Sequence, residues 1–319
     1  MKDLFTKKCY DGIDVLKFLM ALLVVVLHLH PFKGISPYWD YLTTQGLTRV
    51  AVPFFFLTAG FFLFRKMRED AVDWAAIRKY VRRIFYMLVA WSLVYLPFFI
   101  KTSVRYYHDD LGKGILRLIK GFFYNGVQYH LWFLPVLIYS VLFVAFLLSR
   151  RMRIGKILLL TLPLEVLLIV SASYYGLIAP LVEQPAVYAV LHPLGKVVGP
   201  SLGAGCFLVA FGAYLTFRRP QFLTHTRVLA VLTVVFGLLF YFEARALYLA
   251  GISYNGSFYF FGLLFLLVLV PWAMSWDLSR WHPITMRLRK YSMLLYFLHP
   301  AWRDVIGGGT SSSTLASAI

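Results

Sequence analysis

Long apolar stretches, interrupted by short polar gaps, dominate the chain. We interpret nine of them as spans, at residues 13–32, 44–64, 82–100, 129–149, 156–175, 199–217, 228–250, 257–275 and 290–306. A bilayer core is about 30 Å thick, so a helix needs roughly 20 apolar residues to cross it. A membrane β-barrel would instead show segments of about ten residues with alternating polarity. The pattern therefore predicts an all-α, polytopic membrane helix bundle with about nine spans.

The composition supports a membrane protein and excludes two other classes. Hydrophobic residues make up 60% of the 319 residues and charged residues only 14%. Soluble domains contain about 45–50% apolar and about 25% charged residues, and disordered chains are less hydrophobic still. The two cysteines, Cys9 and Cys206, exclude a disulfide scaffold and a four-thiolate zinc site. The lipid bilayer is the predicted partner.

Basic residues concentrate in alternate gaps between the apolar stretches. About two thirds of the 32 lysines and arginines lie in five gaps, which all fall on one side of a nine-span bundle. Short cytoplasmic loops carry such an excess, so the pattern predicts a cytoplasmic N-terminus. Residues 281–290, in the last of these gaps, are interpreted as a short interfacial helix. Because topology accounts for the net charge of +18, no nucleic-acid partner is predicted.

Two ionisable residues share one face of the first span. Lys17 and His28 are eleven residues apart, which is nearly three helical turns and about 16 Å along the axis. Asp14 lies one turn before Lys17 and is placed to pair with it. Ionisable groups inside a membrane are costly and therefore indicate function. The alternative is structural: Lys17 snorkels to head groups and His28 ends the helix.

Further polar residues lie near or within other spans. Arg49 precedes the apolar part of the second span, His130 and Trp132 open the fourth, and Glu243 lies within the seventh. Each has a structural alternative: Arg49 at the boundary snorkels, Trp132 belongs to an aromatic belt, and Glu243 forms a buried ion pair.

The ninth span carries Ser292, Tyr296 and His299 on one face, at positions i, i+4 and i+7. Hydrogen bonding between helices is the structural alternative. In the predicted topology His28, His130 and His299 all lie near the outer ends of their spans. Histidine is well suited to moving protons near neutral pH, so the three predict a polar chamber. No HExxH motif or spaced cysteine pair accompanies them, so no metal site is predicted.

Several segments, taken in order, resemble the acyltransferase-3 family of bacterial multi-spanning membrane proteins. They are "GIDVLKFLMALLVVVLHLH", "RVAVPFFFLTAGFFLFRK", "RKYVRRIFYMLVAW", "YHLWFLPVLIY" and "YSMLLYFLHP". The resemblance runs from about residue 11 to 300. It implies ten spans, of which nine are visible, in the bacterial inner membrane. The predicted membrane acyltransferase domain is 1–306, followed by a Gly/Ser-rich tail at 307–319.

The resemblance also implies roles for individual residues. The family has a basic residue, usually arginine, eleven positions before an essential histidine, and Lys17 and His28 occupy these positions as the catalytic residues. Thr58-Ala59-Gly60 stands where the family usually has Ser-Gly. The family's two cytoplasmic arginines, three apart, have two approximate matches as ligands for coenzyme A. These are the pairs Arg65 and Arg68, and Lys79 and Arg82.

The implied reaction is transfer of an acyl group, with acetyl-CoA as the expected cytoplasmic donor. The implied acceptor is a hydroxyl of a cell-envelope carbohydrate or similar molecule. No metal is expected to take part. The residues assigned to the acceptor side are Arg49, His130, Trp132, Glu243, Tyr296 and His299.

A second interpretation is a carrier rather than an enzyme. The membrane halves of vancomycin-resistance serine racemases resemble this chain as well. In those proteins the membrane domain is thought to carry L-serine across the bilayer. The two interpretations differ in ligand, because one needs an acyl-CoA and the other an amino acid.

Overall fold

The structure, a computed structural model, describes residues 9–107, 111–184, 204–221, 225–253 and 258–306. All regular elements in these ranges are helical. The α-helices are α1 (Asp11–Leu29), α2 (Pro37–Tyr41), α3 (Ala51–Phe64), α4 (Trp74–Tyr107), α5 (Leu111–Lys120), α6 (Phe133–Ser149), α7 (Ile154–Ala172), α8 (Tyr175–Val182), α9 (Ala204–Arg218), α10 (Thr226–Leu249), α11 (Phe260–Ser275) and α12 (His282–Ile306). The predicted tail at 307–319 lies outside the described residues.

Six helical segments are long and apolar enough to cross a membrane, which supports the predicted helix bundle. They are Asp11–Leu29, Pro37–Phe64, Trp74–Lys101, Tyr129–Ser149, Ile154–Ala172 and Thr226–Leu249. The pair Phe260–Ser275 and Ser279–Ala301 passes the same test together, but is bent by 81° at its break. With this pair the described residues hold up to seven candidate spans. The count of nine and the cytoplasmic N-terminus stay predictions.

Two predicted spans differ from simple helices. The segment predicted at 44–64 is composite, because a π turn at Leu42–Gly46 and a 3-10 turn at Leu47–Val50 precede α3. Pro53 lies in the first turn of α3, where its missing N–H costs no helical hydrogen bond. The sixth predicted span, 199–217, corresponds to the short helix α9, and its first five residues lie outside the described ranges.

Helices α1 and α12 run parallel and share the most extensive contact between any two described elements. At one end Asp11 binds His282, and at the other His28 contacts His299. The two residues on each helix are 17 positions apart, so the helices are in register over about 25 Å. The pair therefore brings polar groups together at both of its ends.

A close helix crossing between α3 and α9 supports one wall of the bundle. A Cβ atom on Gly60 would lie 2.2 Å from the carbonyl oxygen of Val209, and one on Gly212 would lie 2.2 Å from that of Leu57. Only glycine permits the backbones to approach this closely. Because Gly60 faces α9, the preceding Thr58 and Ala59 face the opposite side, where a large cleft opens.

Candidate functional site

A cleft of about 840 Å3 lies between α1, α3, α4, α6 and α12. Each helix contributes residues at helical spacing. On α4 the lining residues are Tyr80, Arg83, Ile84 and Met87, and on α12 they include His282, Met286, Arg289, Lys290, Met293, Tyr296 and Phe297. One face of each amphipathic helix therefore turns toward a common space instead of toward lipid.

One end of the cleft is strongly cationic. The lysines and arginines that line it are Lys17, Arg65, Arg83, Arg289 and Lys290. Asp14 is the carboxylate among the lining residues, and its oxygens lie 3.1 Å from the Lys17 amine and 3.6 Å from the Arg289 guanidinium. The predicted pairing of Asp14 with Lys17 is thus confirmed. Because one carboxylate faces five cations, this end of the cleft attracts anions.

The inner wall of the cleft is aromatic and apolar. Phe55, Phe133, Leu137 and Phe297 form much of it, together with Tyr296. The hydroxyl of Tyr296 points away from the wall and donates a hydrogen bond to the carbonyl of His130, at 2.7 Å. Tyr296 therefore separates the cleft from the residues behind it.

Three histidines, His28, His130 and His299, cluster behind this wall. The rings of His28 and His299 are stacked, with centroids 5.1 Å apart and an interplanar angle of 11°. His130 meets His299 edge-on at 5.3 Å. Tyr129 contacts His28 at 4.6 Å and Tyr95 contacts His130 at 5.0 Å. None of the three histidines lines the cleft directly.

The hydrogen bonds of His299 fix its tautomer. Its Nδ1 lies 2.8 Å from the carbonyl oxygen of Tyr296 and 3.3 Å from that of Leu295. Carbonyl oxygens only accept, so Nδ1 carries the hydrogen and Nε2 holds the lone pair in the neutral ring. His130 is only 2% exposed, and neither of its ring nitrogens has a hydrogen-bond partner among the described residues. No group of His, Cys, Asp or Glu in the described ranges has an arrangement suited to a metal ion.

Three residues assigned to the acceptor side by the sequence make contacts other than with these histidines. Arg49 hydrogen-bonds Gln45 and lines a separate small cavity with the buried Glu165, so it faces the interior and not the head groups. The ring of Trp132 packs 6.2 Å from that of Phe56.

Glu243 is the third of these residues, and its contacts are those of a helix cap. Its carboxylate accepts hydrogen bonds from the Tyr174 hydroxyl at 2.5 Å and from the backbone N–H groups of Phe260 and Phe261, both at 2.8 Å. These N–H groups begin α11 and have no partner within that helix. Among the described partners of Glu243 there is no cation, so the expected ion pair is absent there.

Of the four predicted coenzyme A ligands, one lines the cleft and three do not. Arg65 lines the cleft. Arg68 instead binds Asp70 through two hydrogen bonds of 3.0 and 3.1 Å, with a side chain that is 80% exposed. Lys79 and Arg82 are exposed and do not line the cleft.

Sequence reasoning missed three of the cleft's cations, Arg83, Arg289 and Lys290, because the phase of a helix relative to its neighbours is not visible locally in the sequence. Arg83 follows Tyr80 by three residues and so shares its helix face, which Arg82 does not. Arg289 and Lys290 lie in the segment interpreted as a short interfacial helix. This segment instead forms the first turns of α12 and lines the cleft.

Curated relatives are found among bacterial racemases. Two proteins named "Amino-acid racemase" from Enterococcus faecalis are 27% and 25% identical to the chain, over 72% and 91% of its length. A "Serine/alanine racemase" from Enterococcus gallinarum is 27% identical over 91% of the chain. The alignments cover 31% of the first relative and 40% of the other two, so the chain spans less than half of their length. No solved structure gives a significant match.

The family described as "Acyltransferase domain", of the acyltransferase-3 type, matches residues 10–314. This match covers α1 to α12, and with them the cleft and the histidine cluster. The names of the curated relatives also agree with the sister group that the sequence resembles. The chain belongs to the acyltransferase-3 family.

Proposed function

We propose that the chain is a membrane-bound O-acyltransferase of the bacterial inner membrane. It moves an acyl group, expected to be acetyl, from cytoplasmic acyl-CoA to a hydroxyl of a cell-envelope carbohydrate or similar acceptor. The observation that carries this proposal is the cleft. It joins a cationic end to an aromatic wall, and Tyr296 in that wall hydrogen-bonds the histidine cluster.

The two ends of the cleft match the two ends of an acyl-CoA. Phosphates need charged donors, which Arg83, Arg289 and Lys290 supply at one end. The pantetheine arm and the thioester are less polar and fit the wall formed by Phe55, Phe133 and Phe297. Lys17 lies on the same helix as His28, about 16 Å nearer the cationic end. This spacing directs the thioester toward the histidines.

The reaction requires a proton acceptor at the thioester. The acceptor hydroxyl loses its proton to the His28 imidazole, and its oxygen attacks the thioester carbon. The C–S bond then breaks, and the departing thiolate takes up a proton to become the free thiol of coenzyme A. A second route uses the same residue: the acyl group passes to His28 first and then to the hydroxyl. Both routes require His28 to reach the acyl group past Tyr296.

His130, Tyr296 and His299 form the acceptor side in this proposal, because His299 stacks on His28 and also contacts the rings of His130 and Tyr296. Arg49, Trp132 and Glu243 make other contacts, and we assign them structural roles.

The test is turnover of acetyl-CoA by the purified chain in detergent, measured as release of free thiol. We expect saturable binding and slow turnover, with turnover lowered by at least about a hundredfold in His28→Ala. His30→Gln is the matched control, since His30 lies two residues away and contacts Asp40 at 2.8 Å. It should retain near-normal turnover.

Two results would overturn the proposal. A well-folded His28→Ala protein with normal turnover would remove the catalytic role of His28. A monodisperse wild-type protein that binds no acetyl-CoA at millimolar concentration would favour the carrier interpretation. The racemase names of the relatives would then make L-serine uptake in liposomes the next measurement.

A further inference from the structure

We infer that His282, held by Asp11, binds a phosphate at the cationic end of the cleft and makes donor binding depend on pH. The inference rests on the proposed function, because the phosphate is that of the acyl-CoA donor. It concerns a pair of residues that the sequence analysis did not single out.

The hydrogen bond between Asp11 and His282 holds the histidine ring in one orientation. Asp11 lies in the first turn of α1, is only 8% exposed, and accepts hydrogen bonds from His282 Nδ1 at 2.6 Å and from the Thr285 hydroxyl at 2.5 Å. A carboxylate bound to Nδ1 fixes the orientation of the ring. The opposite nitrogen, Nε2, is left for another partner.

The position of the ring indicates a role beyond joining two helices. A purely structural pair would bury both partners in the contact between α1 and α12. The Asp11 side chain is buried, but the His282 side chain is 41% exposed and lines the cleft. Thr285, which also binds Asp11, does not line the cleft. His282 therefore adds a donor to the region where the cations lie.

His282 is the histidine among the many charged residues that line the cleft. The titratable and charged residues that line the cleft with His282 are Cys9, Tyr10, Asp14, Lys17, Arg65, Tyr80, Arg83, Arg289, Lys290 and Tyr296. Of these residue types, histidine is the one whose charge ordinarily changes between pH 5 and 8. The protonated ring donates a charge-assisted hydrogen bond to a phosphate oxygen. A phosphate should therefore bind more tightly at pH 6 than at pH 8.

The experiment measures the Kd of coenzyme A for the full chain in nanodiscs of neutral lipid, at pH 6 and pH 8. His282→Gln keeps an amide donor for Asp11 but has no titrating ring. Thr285→Val removes the other donor to Asp11 without touching the cleft. Between pH 6 and pH 8, the Kd of coenzyme A should rise about fivefold more in the wild type and in Thr285→Val than in His282→Gln. This is the size of effect expected from one half-exposed charged contact. Titration of the ligand's own phosphates is common to all three proteins.

Three outcomes would contradict the inference, and they are distinguishable. An equal pH dependence in the wild type and His282→Gln overturns it while leaving the proposed function intact. No coenzyme A binding at either pH overturns both. In nanodiscs with phosphatidylglycerol, coenzyme A binding that weakens at pH 6 in the wild type but not in His282→Gln would assign the site to a lipid phosphate instead.

Discussion

The imidazole rings of His28 and His299 lie parallel, with centroids 5.1 Å apart and planes at 11°. His28 lies in the last turn of α1 and His299 lies within α12, and the two helices run in register from the contact between Asp11 and His282. The His299 ring is held by the carbonyl oxygens of Leu295 and Tyr296. It therefore forms a fixed surface against which His28 is oriented.

This stacking leads to a prediction for His299. We expect His299→Ala to lower turnover of acetyl-CoA about tenfold, because removal of the His299 ring leaves the His28 ring free to rotate. His299→Phe restores a stacking ring without its nitrogens and should stay within about threefold of the wild type. Turnover and Kd of the donor are measured for both variants, and Kd should not change. If the phenylalanine variant is as impaired as the alanine variant, a nitrogen of His299 takes part in the chemistry.

Lys17 provides a second prediction. Its amine lies 3.1 Å from Asp14 and 4.5 Å from the centroid of the Phe62 ring, at the cationic end of the cleft. Lys17→Ala removes one cation, and we expect the KM for acyl-CoA to rise about tenfold. Lys17→Arg keeps the charge and should stay within about threefold of the wild type. Equal KM values in both variants would remove Lys17 from the donor site.

Two neighbouring arginines on α4 allow a matched comparison. Both side chains are exposed, but Arg83 lines the cleft and Arg82 does not. We expect Arg83→Ala to raise the Kd of coenzyme A by about fivefold to tenfold and Arg82→Ala to leave it unchanged. Both variants lose one positive charge, but only Arg83→Ala loses a side chain that contacts the ligand in the cleft. The measurement is coenzyme A binding at moderate salt. Similar effects of the two variants would indicate a general electrostatic attraction.

The sequence predicted the membrane bundle and the histidine cluster for physical reasons. Long apolar runs directly indicate segments that are buried in lipid. The interval of eleven residues between Lys17 and His28 fixes their relation on one helix. The shared level of His28, His130 and His299 followed from the predicted topology, because the ends of spans on one side must lie at a common depth.

Contacts between distant helices could not be predicted in this way. Nothing local in the sequence distinguishes Arg82 from Arg83 until the phase of α4 relative to its neighbours is known. Glu243 was expected to bind substrate or a cation, yet its partners are backbone N–H groups that the start of α11 brings to it. Pairing of His282 with Asp11 likewise depends on the parallel register of α1 and α12.

The capping role of Glu243 predicts a loss of stability without a loss of donor binding. Glu243→Ala leaves the N–H groups of Phe260 and Phe261 without their acceptor, which should lower the free energy of unfolding by about 2–4 kcal/mol. Thermal unfolding in detergent, followed by tryptophan fluorescence, should show a lower Tm. Arg245→Ala, an exposed position on the same helix, is the control. An unchanged Tm together with lost turnover would return Glu243 to the acceptor side.

The orientation of the bundle decides whether the cationic end of the cleft faces cytoplasmic acyl-CoA. Cys9 is exposed at that end and lines the cleft, and the second cysteine, Cys206, is buried. A membrane-impermeant maleimide should therefore not label the protein in intact cells, and should label it after permeabilisation. Cys9→Ser abolishes this signal.

Lys33→Cys, introduced into the Cys9→Ser background at an exposed position beyond α1, should be labelled in intact cells because it lies at the opposite end of the first span. Labelling of Cys9 in intact cells, with Lys33→Cys protected, would place the cationic end outside. The proposed donor would then be on the wrong side of the membrane.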